Sequence, residues 1–124
     1  MPRRRFTASQ ASEIAETKYF RLRAGDDHKF IAVWAVVVDG RVLVRPWNDK
    51  PAGWYREFLK TGSGAVKIGM QEVAVHARPV TGEKLLDAMD AAYARKYTTK
   101  PNNPYVKGFA TRARRATTLE LTPA

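Results

Sequence analysis

The stretch from Phe30 to Leu59, FIAVWAVVVDGRVLVRPWNDKPAGWYREFL, decides the fold that we predict for this chain. It begins with an unbroken apolar run, Phe30 to Val38, which is typical of a strand that is covered on both faces or lines a barrel. Asp39-Gly40 is a strong hairpin signal, because both central residues of a type I′ turn need a positive φ angle. Arg41 to Trp47 is therefore predicted to be the returning strand, and a helix is predicted to open near Trp54.

The segments on either side of this stretch predict further short elements. Thr7 and Gln10 have the spacing of a capping box, which indicates a helix beginning at Ala8. The remaining predictions are a helix to Thr17, a strand at Tyr19–Arg23, a hairpin of Ala65–Gly69 with Glu72–Pro79, a helix over Gly82–Tyr97, a basic helix over Tyr105–Ala116 and a closing strand at Thr117–Leu121. About six hairpin-linked strands favour an α+β, mainly β fold, a six-stranded antiparallel barrel with flanking helices, because a barrel removes exposed strand edges.

Length and composition set limits on the classes of protein. A chain of 124 residues with 44% apolar content fits one domain, residues 1–124, of which we expect 1–6 to be flexible. The absence of cysteine excludes a disulfide framework and thiolate zinc sites, and His28 and His76 lack a metal-binding spacing, so no metal is predicted. Neither a membrane span nor a secretory signal is indicated, so we expect a cytoplasmic location.

A net charge of +10 and a pI near 10.2 imply attraction to polyanions such as nucleic acid, an acidic lipid surface or a phosphorylated cofactor. Charge alone does not choose among these partners. The most basic segment carries Lys107, Arg112, Arg114 and Arg115 with Tyr105 and Phe109. Cations interleaved with aromatics are typical of single-stranded nucleic-acid binding, but a solvated helix is the simpler interpretation.

The order of motifs resembles that of a known class. Asp39-Gly40, the strand ending at Arg45-Pro46, and Pro51-Ala52-Gly53-Trp54-Tyr55 at a helix start resemble the split β-barrel proteins that bind FMN, and in particular the deazaflavin-dependent nitroreductases. The chain is similar also to an uncharacterised bacterial domain-of-unknown-function family of this barrel class. That likeness rests on Trp34, Asp39-Gly40, Val44-Arg45, Trp54-Tyr55, Ala91-Ala92-Tyr93 and Lys96-Tyr97.

The resemblance implies a six-stranded split β-barrel and a phosphorylated planar cofactor, either FMN or coenzyme F420. It also implies a possible homodimer, since flavin split barrels often place the cofactor at a dimer interface. An oxidoreductase that transfers hydride to a small organic substrate would follow, with the hydride chemistry belonging to the cofactor. Neither the substrate nor any catalytic residue is indicated.

Six residues are candidates for the cofactor site. Arg45 could hold a phosphate bidentately, and the amides at the start of the Trp54 helix could bind an anion. Arg56 adds charge on that helix, and Asn48 lies just upstream. Trp47 and Tyr55 could stand against a planar ring. The alternative interpretations are an ion-paired strand-end arginine at Arg45 and core positions for Trp54 and Phe58.

Two other functions stay open. The first is a non-enzymatic basic barrel that binds nucleic acid or another polyanion, for which affinity would fall steeply with salt. The second is a small-molecule binding barrel without a cofactor, which the acidic turn at Asp26-Asp27 favours. Glu83, Asp87 and Asp90 fit a solvated helix face, so no carboxylate pair for hydrolysis is predicted. Tyr97 or Tyr105 could reach a pocket at the barrel mouth.

Overall fold

The computed structural model describes residues 5–26 and 29–124, which form an α+β fold around one antiparallel sheet. Seven strands occur in these ranges: β1 (Phe20–Ala24), β2 (Ile31–Val33), β3 (Ala35–Val38), β4 (Arg41–Val44), β5 (Ser63–Ile68), β6 (Gln71–Pro79) and β7 (Leu119–Pro123). The same ranges contain five α-helices: α1 (Ala8–Glu16), α2 (Trp54–Thr61), α3 (Glu83–Lys96), α4 (Asn103–Phe109) and α5 (Arg112–Arg115). A single 3-10 turn, Lys100–Asn102, precedes α4.

The sheet is a nearly closed barrel, and Trp34 is the residue at which it closes. The strand order is β2-β1-β5-β6-β7-β4-β3, so β2 and β3 lie at opposite edges although only Trp34 separates them in the chain. One residue spans at most about 3.6 Å, so the two edges of the sheet must come together there. The prediction of six strands is wrong for this reason: the run from Phe30 to Val38 is two strands that pair with different partners.

The hairpin prediction is confirmed for β3 and β4. Asp39 and Gly40 have φ angles of 51° and 77°, the positive pair that a type I′ turn needs. Ala35 pairs with Val44 and Val38 with Arg41, so the register runs to the turn without a slip. The strand β4 ends at Val44, three residues before the predicted end at Trp47.

The barrel interior is filled from the strands and from two helices. Inward side chains such as Leu22, Val42 and Val66 are fully buried, and Ile14 from α1 and Phe58 from α2 complete the same cluster. Phe6 also belongs to this cluster and is 8% exposed, although the sequence groups it with a flexible start. Residues 1–4 of that segment lie outside the described residues, as do Asp27 and His28 of the acidic turn.

A second core forms between the outside of the sheet and α3. Val36 and Leu43 point outward from β3 and β4 and pack with Met89 and Tyr93 of α3. The β3 half of the apolar run is therefore covered on both faces, as predicted, whereas the prediction is wrong for β2, where Ile31 and Ala32 are exposed. Phe109 of α4 joins this core, which places the 103–109 segment beside the end of β4.

Several element boundaries differ from the sequence prediction. The basic helix predicted over residues 105–116 is divided into α4 and α5, with Thr111 extended between them. The closing strand begins at Leu119 rather than Thr117 and continues to Pro123. No helix in the described ranges is both long and apolar enough to cross a membrane.

Candidate functional site

A cavity of about 540 Å³ lies between the β2–β3 junction, the loop that follows β4, and α4. Its volume falls within the range of roughly 300–1,000 Å³ that is usual for small-molecule and cofactor sites. No acidic side chain is among the described residues that line it. The lining residues are Tyr19, Ile31, Ala32, Val33, Trp34, Arg45, Trp47, Asn48, Lys50, Gly53, Trp54, Asn102, Tyr105 and Phe109.

The cavity gathers exposed apolar side chains that are otherwise scarce on this surface. Six large hydrophobic residues are exposed in the described part of the chain, and four of them line the cavity: Tyr19, Ile31, Trp47 and Tyr105. Grouped exposed apolar side chains, unlike single ones, are typical of a ligand or partner site. The cavity is therefore the best candidate for a functional site.

Aromatic rings form a connected wall on one side of the cavity. Trp47 meets Tyr105 and Phe109 edge to face, with ring centres 5.1 and 5.2 Å apart. Trp34 stacks flat on Tyr97 behind the wall, at 3.8 Å between ring centres. Flat rings held by their neighbours offer a planar ligand an apolar surface at little cost in conformational entropy.

The polar groups of the cavity lie mainly on the loop after β4. Lys50 and Asn48 are exposed on this loop, and Asn102, which precedes α4, is half-buried. Gly53 caps α2 without a side-chain acceptor, so the amides of the first helical turn keep their donors free for an anion. Cationic and donor groups thus face the aromatic wall.

Arg45 lines the cavity but is 1% exposed and held by several oxygens. Its Nε donates to the Thr118 hydroxyl at 2.7 Å, and Nη1 donates to Asp90 at 2.5 Å and to the carbonyl of Phe109 at 2.9 Å. Nη2 donates to the carbonyl of Leu86 at 3.4 Å. These bonds use four of the five N–H groups of the guanidinium, so Arg45 joins β4, α3, α4 and β7.

The other predicted site residues lie in different surroundings. Trp47, Asn48 and Trp54 line the cavity together with Arg45. Tyr55 instead points into the barrel interior, where it is 9% exposed and belongs to the main core. Arg56 is exposed and forms a two-pronged ion pair with Asp49, with both N–O distances 2.7 Å. This pair fastens the loop that carries Asn48 and Lys50 to the first turn of α2.

Sequence reasoning missed Trp34, Lys50 and Asn102 as lining residues. Trp34 was hidden because the apolar run reads as one strand, whereas the residue lies at the break between two. Lys50 could have been found, since it lies two residues after Asn48 in a loop bracketed by prolines. The predicted role of the two tyrosines is resolved in part: Tyr105 lines the cavity, while the Tyr97 hydroxyl is buried and donates to the carbonyl of Lys18 at 2.6 Å.

The solvated helix face predicted for the α3 carboxylates is confirmed for Glu83 and Asp87, which are exposed, and is wrong for Asp90, which is half-buried. Arg115 nevertheless binds all three of them. It donates to Glu83 at 2.9 Å, to Asp87 at 2.8 Å, and also to Asp90. Asp90 also accepts a hydrogen bond from Arg45, so two arginines bind the same carboxylate. Part of the basic segment therefore serves to dock α5 on α3, and Lys107 and Arg112 are left exposed.

Lys96 is a second partly buried cation, on the far side of the aromatic cluster. Its ammonium group donates to the carbonyls of Ile14 at 3.1 Å and Ala35 at 2.5 Å, which ties α3 to α1 and β3. Burial lowers the pKa of Lys96 to about 8. Burial raises the pKa values of the neighbouring Tyr93 and Tyr97 above the ordinary value for tyrosine.

The fold and the cavity define an α+β protein built on a nearly closed antiparallel barrel, with an aromatic-walled cavity. Residues 5–121 match the family described as an uncharacterized protein conserved in bacteria (DUF2255), and the chain belongs to this family. A crystal structure similar to it is that of the conserved hypothetical protein Rv2991 from Mycobacterium tuberculosis. The TM-score is 0.56 and the identity 13%, over 98% of this chain and 81% of that one. No curated protein matches this chain.

Proposed function

We propose that this protein binds a planar, phosphorylated cofactor of the flavin or deazaflavin class, FMN or coenzyme F420, in the cavity beside Trp47. The observation that carries the proposal is that four of the six exposed large hydrophobic residues in the described chain meet at one cavity lined by no described acid. An apolar planar ring would cover these side chains, and an anionic group would match the cations and amides beside them. The resemblance to split-barrel flavin proteins supports the same class.

The residues present fit such a group in size and in chemistry. Trp47, Trp54 and Tyr105 would contact the ring, and Lys50, Asn48 and the first-turn amides of α2 would hold the phosphate. Arg45 would support this arrangement from below, because most of its donors are already engaged within the protein. Arg56 would act through Asp49 by fixing the loop.

We propose an oxidoreductase role because of the class of cofactor, and this role leaves the identity of the substrate open. A bound flavin or deazaflavin would supply hydride transfer. The protein would supply an apolar surface that excludes water, fix the orientation of the cofactor and bind its phosphate. A small organic substrate would lie beside the ring in the same cavity. The described lining residues include no carboxylate and no imidazole, so the protein would act mainly by positioning the reactants.

Titration of the purified protein with FMN, coenzyme F420 and riboflavin, followed by tryptophan fluorescence, tests the proposal. FMN or coenzyme F420 should quench the signal to saturation, since Trp47 and Trp54 lie in the site. Lys50→Met should lower the affinity for FMN by about tenfold, as expected for loss of one charge-assisted contact. The affinity for riboflavin should stay nearly unchanged, because riboflavin has no phosphate.

Lys60→Met is the matched control, because Lys60 is an exposed lysine in the last turn of α2 and does not line the cavity. It removes the same charge and should leave both affinities unchanged. A protein that neither FMN nor coenzyme F420 quenches would contradict the proposal. Binding of riboflavin alone would instead favour a small-molecule barrel without a phosphorylated cofactor.

A polyanion-binding function has one observation in its favour. Residues 100–115 carry five cations and no acid, and three of the five, Lys100, Lys107 and Arg112, are exposed. Binding of single-stranded nucleic acid by this surface would lose affinity steeply between low and moderate salt. Binding that is unchanged over that range would reject this second function.

A further inference from the structure

Trp47 is 37% exposed, yet its indole is held from behind by a single arginine. The guanidinium carbon of Arg114 lies 3.6 Å from the centre of the indole ring, which is the geometry of a close cation–π contact. The Arg114 Nε donates to the carbonyl of Trp47 at 2.8 Å, so backbone and ring are gripped by one side chain. An exposed aromatic ring fixed in this way is pre-organised for stacking.

Gly108 lies close to the edge of the same indole ring. A Cβ atom at this position would lie 2.3 Å from Cη2 and 2.7 Å from Cζ3 of Trp47, closer than any side chain could approach. The Arg114 Nη1 also donates to the carbonyl of Gly108 at 3.1 Å. Gly108, Arg114 and Trp47 therefore form one packed unit. Glycine at position 108 leaves the space beside α4 that the indole of Trp47 fills.

The position of this cation bears on the class of ligand. An aromatic wall alone is well suited to a cationic ligand, because the face of an indole carries negative electrostatic potential. In this protein Arg114 already occupies that interaction, and Lys50 adds a second positive charge to the cavity. A planar cation would meet repulsion on Trp47, whereas a neutral or anionic ring would not.

We propose that Arg114, with Gly108, is a positioning residue that fixes Trp47 as a rigid wall, and that the charge of Arg114 makes the cavity select planar rings without positive charge. This inference rests on the proposed function for the ligand class and on contacts within the protein for the holding of Trp47. It makes Arg114 a determinant of specificity, although it does not itself line the cavity.

The test combines a measurement on the protein alone with a set of matched dyes. The protein is labelled with 5-fluorotryptophan, which gives one fluorine resonance for each of its three tryptophans, and the Trp47 resonance is assigned with Trp47→Phe. Affinities are measured for FMN, which is anionic, for riboflavin, which has the same ring without the phosphate, and for proflavine, a planar cation. The variant is Arg114→Gln, and the control is Arg112→Gln, an exposed arginine on the same short helix.

Arg114→Gln should move the Trp47 resonance and shift the ratio of riboflavin to proflavine affinity toward proflavine by about tenfold, the effect expected of one cation–π contact. Arg112→Gln removes the same net charge and should do neither. Equal shifts in the two variants would show that net charge alone acts and would overturn the inference, as would an unmoved Trp47 resonance in Arg114→Gln.

The outcomes also separate this inference from the proposed function. A protein that binds FMN while Arg114→Gln leaves both readouts unchanged contradicts the inference alone. A protein that binds neither coenzyme F420 nor any of the three dyes, but whose Trp47 resonance responds to Arg114→Gln, contradicts the proposed function and the ligand class while supporting the holding of Trp47. Wild-type preference for proflavine over riboflavin contradicts the selectivity directly.

Discussion

At Arg45 the sequence leaves two roles open, a phosphate grip or a structural ion pair, and a stability measurement separates them. We expect Arg45→Met to lower the free energy of unfolding by about 1–3 kcal/mol, because it removes hydrogen bonds to a buried hydroxyl and to a half-buried carboxylate that keeps its pair with Arg115. The groups affected are Asp90 and Thr118, which accept hydrogen bonds from Arg45 at 2.5 and 2.7 Å. Urea denaturation of the variant beside the wild type gives this difference.

A double-mutant cycle with Asp90→Asn identifies the source of that loss. If the buried pair dominates, the two substitutions together should cost much less than the sum of the single costs. An Arg45→Met protein that keeps its stability and loses only FMN affinity would show instead that the guanidinium serves the ligand.

Gly108 offers a second test at the level of one residue, in which two effects oppose each other. Alanine is favoured over glycine inside a helix by about 1 kcal/mol. The clash with Trp47 at 2.3 Å requires displacement of a packed ring, at a typical cost of about 1–3 kcal/mol. We therefore expect Gly108→Ala to lower the melting temperature and to increase quenching of Trp47 by acrylamide. A more stable protein with unchanged quenching would contradict the close approach of α4 to the indole.

At the scale of elements, the sequence predicts what depends on neighbours in the chain and misses what depends on distant partners. The Asp39-Gly40 turn and the capping box of α1 are local, and the structure confirms both, with Thr7 and Gln10 bonded reciprocally at 3.0 and 3.1 Å. The division of the apolar run at Trp34 is not local. It is imposed by pairing with β1 on one side and β4 on the other. No turn-forming residue between Phe30 and Val38 marks the division in the sequence.

The candidate site shows the same limit. Trp47, Asn48 and Trp54 were accessible to sequence reasoning, because a loop between a strand and a helix start is a common place for binding residues. Trp54 and Tyr55 point in different directions because they are adjacent on a helix. Spacing alone does not tell which of the two faces the cavity until the helix is placed against the barrel. Asp90 on α3 likewise looks solvated in the sequence, until Arg45 and Arg115 are brought against it by the fold.

At the scale of the whole molecule, stability should depend on pH through Lys96, which joins α1, α3 and β3. Its pKa is about 8 in the folded protein and near 10.5 when exposed, so between these values the unfolded chain holds more protons than the folded one. The free energy of unfolding should therefore rise as the pH rises from about 8 to 10. Above pH 10 the trend should reverse, because the raised pKa values of Tyr93 and Tyr97 keep those groups protonated only in the folded state.

Urea denaturation at intervals of pH in Lys96→Met and in wild type isolates this contribution. The variant loses two hydrogen bonds to backbone carbonyls, so its stability at a single pH is not informative, and the slope against pH is the quantity to compare. We expect the rise between pH 8 and 10 to disappear in Lys96→Met and to persist in Lys84→Met, which removes an exposed lysine from the first turn of the same helix. The fall above pH 10 should persist in both. A rise that survives in Lys96→Met would assign it to another group and would mean that burial of the Lys96 ammonium does not oppose folding.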